Sequence, residues 1–162
     1  MDTIIALFAY SDRTNATLLH AAEPLSAAQL DQSFDMGMGT LRKTLAHIYV
    51  GEKVWLERCT GNAECKWPPY ETSVTLAEIS EQLRLLIHPR DAFLATLNDA
   101  KLGAVQTYRD SKGTLFKATL HDMILQSIVH STHHRAQAVN MLRRLGGQVV
   151  EVDYMYGVRE TV

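Results

Sequence analysis

The sequence predicts an all-α protein: a four-helix up-down bundle with a small β-hairpin before its last helix. Three observations carry that prediction. Apolar residues recur every three to four positions through four long runs, capping residues and Gly or Pro bound those runs, and one pair of short extended segments flanks a turn. At 162 residues, 46% of them hydrophobic, the chain fits a single domain over 1–162 with one core.

The first helix is expected over residues 3 to 22. Ile4, Leu7, Phe8, Leu18 and Leu19 fall at helical intervals, and Pro24 ends it. Ser26-Ala27-Ala28-Gln29 has the form of a capping box and opens a short turn before Met36-Gly37-Met38-Gly39 loosens the chain. The second long helix runs from Thr40 to Arg58 with Leu41, Leu45, Ile48 and Trp55 as its apolar stripe, and Gly61-Asn62 is its stop. Residues 60 to 74 form the longest loop, because the adjacent prolines of Trp67-Pro68-Pro69-Tyr70 remove donors and restrict their neighbours. Thr75-Leu76-Ala77-Glu78 is a second capping box, and the helix it opens extends to Asn98 with a kink at Pro89. Residues 105 to 109 and 114 to 118 make the hairpin around Asp110-Ser111-Lys112-Gly113. The last helix opens at Thr119, closes at Gly146-Gly147 and spans about 39 Å at 1.5 Å per residue. The tail from Gln148 to Val162 either covers the bundle or pairs with a second subunit.

Composition excludes several functions. Sixteen Lys and Arg against eighteen Asp and Glu leave no basic field, so no nucleic-acid partner is expected. No stretch reaches the roughly 18 apolar residues of a membrane span, and Asp2 stands where a signal peptide would be positive. A cytoplasmic protein without membrane contact is the expectation. Cys59 and Cys65 are too few for a disulfide framework or a thiolate cage, and both read as inert.

Histidine carries the chemistry. Of seven, His121, His130, His133 and His134 share one short stretch, and a 100° step aligns His130 and His134 with Met123 and Met141 on the core stripe. Two imidazoles at i and i+4 can share a divalent metal, as in zinc proteases, but no Glu lies between them here. Spacing alone supports a metal pair and an ordinary hydrogen-bonded pair equally. The best-placed third ligand is His47, at the flank of the second helix's stripe, with Gly51 one turn on leaving room beside its ring. His133 lies about 80° off the pair, as an outer donor or a boundary residue. His20, His88 and His121 read as surface residues. Glu52, about 140° from His47, is expected in a salt bridge or cap, and Arg135, about 120° from the pair, at the surface or a subunit contact. Trp67 and Tyr70 pack beneath their loop or line a pocket mouth.

Leu45-Ala46-His47-Ile48 with Glu52 and Trp55, then Val129-His130-Ser131-Thr132-His133-His134-Arg135-Ala136-Gln137 and Leu142-Arg143-Arg144-Leu145-Gly146, resemble the DinB-like family of bacterial four-helix proteins. Ala136 stands where the family pattern usually has Gly. The resemblance implies a divalent metal, nickel or zinc, held by His47, His130 and His134, and it suggests a homodimer. Three imidazoles leave a coordination position open, as in catalytic sites, and such a metal acidifies a bound water or thiol. Some members look like S-transferases or isomerases using a low-molecular-weight bacterial thiol. A metal-dependent thiol S-transferase acting on a small molecule is therefore the leading expectation; a metal-dependent hydrolase and a non-catalytic metal-binding stress-response protein are the alternatives.

Overall fold

The computed structural model describes residues 1–68 and 74–161. In chain order its elements are α1 (Asp2–Ala22), α2 (Ala27–Leu30), α3 (Leu41–Cys59), α4 (Leu76–Leu94), α5 (Asp99–Leu102), β1 (Val105–Arg109), β2 (Leu115–Thr119) and α6 (Leu120–Arg144). The expected bundle and hairpin are both present. Side chains fix the helix starts: Thr40 accepts from the Lys43 amide, Thr119 from the Asp122 amide, and Ser26 and Thr75 complete capping boxes with Gln29 and Glu78.

Two boundaries differ from the sequence reading. α4 runs through Pro89 but stops at Leu94, because Asn98 caps the short α5 by accepting from the Lys101 amide and so begins a helix where one was expected to end. Strand β2 starts one residue later than expected, since Asp110 Oδ1 accepts from the amides of Lys112 and Thr114 and keeps Thr114 in the turn.

Two apolar clusters give the helix directions. Leu18, Leu45, Ile79 and Met141 meet at one end of the bundle, and Phe8, Trp55, Leu94 and Ile124 at the other. Hence α1 and α6 run one way, and α3 and α4 run the other. The parallel pair refines the simple up-down order, and it requires the long connection after α3 to carry the chain back to its starting end. The hairpin is tied to α3 by Arg58, whose guanidinium lies 4.9 Å from the Trp55 ring and 5.1 Å from the Tyr108 ring and donates to the Arg109 carbonyl at 2.5 Å.

The tail covers the bundle. Tyr10 Oη donates to the Val152 carbonyl at 2.8 Å, and the Tyr154 ring lies 5.7 Å from that of Tyr10. Among the described residues no helix is long and apolar enough to cross a membrane. Between the two apolar clusters a polar layer crosses the bundle, and the candidate site occupies one side of it.

Candidate metal centre

His47 sits about two turns into α3, where the Thr40 cap sets the helical phase that turns it toward α6. His130 and His134 lie one turn apart on α6. The three come together. His47 Nε2 is 3.0 Å from His130 Nε2, the His134 ring centroid is 4.3 Å from that of His47 and 4.6 Å from that of His130, and one nitrogen from each ring falls within 4.8 Å of the others. Gly51 makes the approach possible: a Cβ there would stand 2.5 Å from His130 Cε1 and 2.6 Å from Nδ1. Trp67 covers the group, stacking on His47 at 5.0 Å with 22° between planes and lying 5.6 Å from His130.

Burial makes these rings poor bases. Desolvation, followed by the neighbouring imidazoles His134 and His130, pulls the His47 pKa down to about 3. Desolvation with His134 and His133 beside it takes His130 to about 4. His134 is lowered too, by burial first, with the Gln137 hydrogen bond opposing the shift. All three are therefore neutral at physiological pH and have lone pairs to give. Two nitrogens at about 2.0–2.1 Å from one tetrahedral ion are about 3.3 Å apart, so the 3.0 Å separation of His47 and His130 needs only small adjustment to accept one. The residues fit the group that the family resemblance implied.

Other singled-out residues distribute differently. Glu52 is buried and turned to α1, where its Oε1 accepts from Ser11 Oγ at 3.2 Å and Asn15 Nδ2 at 2.9 Å. Burial raises its pKa, while Asn15 and Arg135 pull against that rise. Arg135 is not at the surface. It is 0% exposed, donating to Ser11 Oγ at 2.6 Å, Asn15 Oδ1 at 3.2 Å and Thr132 Oγ1 at 2.8 Å, with its guanidinium 5.1 Å from the Tyr10 ring. An angle measured from the histidine pair left out the second face of α6, which α1 covers. His20, His88, His121 and His133 are exposed. Cys59 and Cys65 are free thiols whose pKa values burial pushes up, to about 12 and about 11, so neither is poised as a nucleophile. Tyr70 lies outside the described residues. Gln137 joins the site by bonding His134 and His133. The sequence reading did not single it out, although a polar side chain three residues after His134, beside the buried line of α6, was a visible signal.

A four-helix bundle with a hairpin before its last helix, bearing three converging imidazoles from α3 and α6, defines a recognisable class of helical protein. The chain belongs to the DinB family, whose model matches residues 1–160. It is 21% identical over 159 residues to Protein DinB of Bacillus subtilis (strain 168), covering 94% of this chain and 92% of that one. Among solved structures it is similar to a DinB-like protein from Bacillus cereus ATCC 10987, with a TM-score of 0.71 and 20% identity over 93% of this chain and 96% of that one. It is also similar to YfiT from Bacillus subtilis, described as a probable metal-dependent hydrolase with an unusual four-helix bundle topology. There the TM-score is 0.60, with 20% identity over 91% of this chain and 90% of that one. At these identities the structural matches speak for the fold.

Proposed function

We propose that this protein holds a divalent metal ion on His47, His130 and His134 and uses it in small-molecule chemistry, the reaction being transfer of a low-molecular-weight bacterial thiol. The observation that carries this reading is the convergence of three neutral imidazole nitrogens within 4.8 Å. An all-imidazole set suits nickel or zinc, and three ligands leave room for a substrate atom. When bound, such an ion supplies Lewis acidity and makes a coordinating thiol or water more acidic.

The surroundings favour a thiol over water. A free thiol has a pKa of about 8.5, already near neutrality, so it needs little help to ionise. Hydrolysis calls for a general base within reach, yet no carboxylate joins the three histidines among the described residues, and Glu52 is committed to Ser11 and Asn15. Metal-dependent hydrolysis is the second reading, supported by the description of YfiT.

Elemental analysis of protein purified without a histidine tag tests the first step. A stoichiometric divalent ion is expected, lost in both His47→Ala and His130→Ala; its absence from the parent protein overturns the proposal. The loaded protein is then offered bacterial thiols with electrophiles and, separately, activated esters and amides. Metal-dependent thiol consumption supports transfer, cleavage without thiol supports hydrolysis, and neither activity reduces the protein to metal binding.

A further inference from the structure

Gln137 stands one turn beyond His134 on α6, half-buried, and its amide bridges two rings. Its Oε1 lies 2.7 Å from His134 Nδ1, and its Nε2 lies 2.9 Å from His133 Nε2. An amide oxygen only accepts and an amide nitrogen only donates, so His134 must carry its proton on Nδ1 while His133 accepts at Nε2. A neutral imidazole has one N–H. Once Nδ1 holds it, Nε2 is the nitrogen His134 can offer to a cation. With the amide turned the other way, the proton would move to Nε2 and close that nitrogen to any ion.

The loop before α3 passes close to the amide. Gly37 has φ +54, the left-handed region, and a Cβ there would sit 3.0 Å from Gln137 Oε1, 2.9 Å from Thr44 Oγ1 and 3.2 Å from Met141 Cε. A side chain at Gly37 would thus crowd the same oxygen that receives the His134 proton. Among the described residues His130 Nδ1, buried against Gly51, has no hydrogen-bond partner, whereas His134 Nδ1 meets the Gln137 amide.

We propose that Gln137 is the positioning residue of the metal centre, fixing both the tautomer and the ring orientation of His134 so that Nε2 faces the ion. The inference rests on the metal-binding reading above. Outer partners of this kind typically change metal affinity about 10- to 100-fold, because they orient the ligand and raise its basicity.

The test compares Gln137→Leu, which removes the acceptor, with Gln137→Glu, which keeps an acceptor for His134 and gives up the donor to His133. Zinc affinity is measured by calorimetry, and melting of the metal-free variants checks that each folds. The leucine variant is expected to bind about 10- to 100-fold more weakly, and the glutamate variant within a few-fold of the parent. In cobalt-loaded protein, a contact-shifted, slowly exchanging Nδ1–H proton from His134 should persist in the parent and the glutamate variant and vanish in the leucine variant. Long-range proton–nitrogen spectra of the metal-free parent need no substitution, and they should show His134 as the Nδ1–H tautomer. Unchanged affinity in the leucine variant, equal weakening by glutamate and leucine, or an Nε2–H tautomer in the parent would each overturn the role of Gln137 while leaving the metal centre standing. Failure of the parent to bind zinc at all overturns the metal centre, and the role of Gln137 with it.

Discussion

The polar layer in the middle of the bundle has two halves built from the same helices. Gly51 and Glu52 are neighbours on α3, and His134 and Arg135 are neighbours on α6, yet one of each pair serves the histidine cluster and the other serves a network against α1. A helical step of about 100° separates them. The inner half is charged and closes on itself: Glu52 and Arg135 share Ser11 and Asn15 as hydrogen-bond partners. The outer half consists of three neutral rings with no counter-charge in the cluster among the described residues. Burial of polar groups does not by itself mark a functional site. What separates the halves is that donors and acceptors meet one another through Ser11 and Asn15 in one, whereas the other presents nitrogens of like character to a common point, as a cation requires.

The sharpest way to break this comparison is to remove one charge from the inner half. Arg135→Met removes the donors to Ser11 and Asn15 and the positive charge near buried Glu52, and unfolding in urea should show a loss of about 1–3 kcal/mol for the groups left unpaired. Adding Glu52→Gln should recover part of that loss, because a neutral amide asks for no counter-charge. Recovery should be absent if Arg135 matters only for its packing on Tyr10. In the outer half the order of effects reverses. His130→Ala should weaken zinc binding beyond the roughly 100-fold typical of an outer-partner loss, while metal-free stability changes by about 1 kcal/mol or less. A histidine variant that unfolds as readily as the arginine variant would show both halves to be structural.

The two halves were not equally legible in the sequence. Helical phase placed His130 and His134 on one line and His47 on another helix, and a period of 3.6 carries that information over a few turns without loss. The same phase turned Glu52 away from His47, but Glu52 accepts from Ser11 and Asn15 rather than forming the expected salt bridge or cap, and the phase misjudged Arg135. The angle of a residue on one helix says where it points, not which neighbour stands there. That depends on α1 packing alongside α6 in the same direction, which in turn depends on α3 and α4 being parallel across the long loop. The stop of α4 was misread for a related reason: Asn98 is an equally good ending or beginning until the next helix is known. Gln137 was visible as a residue but not as a partner, because its contacts depend on how its amide is turned between His133 and His134, which no helical period reports.

Gly51 gives a smaller effect that sharpens the comparison, since it lies at the boundary of the halves. Alanine in a helix interior is ordinarily more stable than glycine by about 0.8–1.0 kcal/mol. At this position its Cβ would meet the His130 ring at 2.5 Å, so the ring must leave α3 to make room. Gly51→Ala should therefore keep or raise the melting temperature of the metal-free protein while lowering zinc affinity about 10-fold, the low end of the effect of mis-setting a ligand. Thermal melts read the first effect and calorimetry the second. Loss of both together would mean that the ring's place is dictated by packing around α3 rather than by the gap.

The smallest expected change concerns pH, and its near-absence is informative. An ordinary imidazole with a pKa of about 6.5 would lose roughly 25-fold in metal affinity between pH 7 and pH 5, because protons occupy the donor. His47 and His130, held at about 3 and about 4 by burial, stay neutral over that range, so neither adds such a loss. Zinc affinity measured at pH 7 and pH 5 should then fall far less than the several-hundred-fold drop expected of two exposed histidines acting together. Stability of the metal-free protein gives the complementary sign. Below about pH 6.5 the unfolded chain takes up protons that folded His47 and His130 refuse, so their contribution favours folding above that pH and is lost as pH falls toward 4 and 3. Replacing both with leucine should flatten this part of the profile. A profile equally steep in parent and variant would place the titration outside the cluster and leave the histidines no special protection from protons; Glu52 would not account for it, because a carboxyl whose pKa burial raises favours the folded state more as pH falls, the opposite sign.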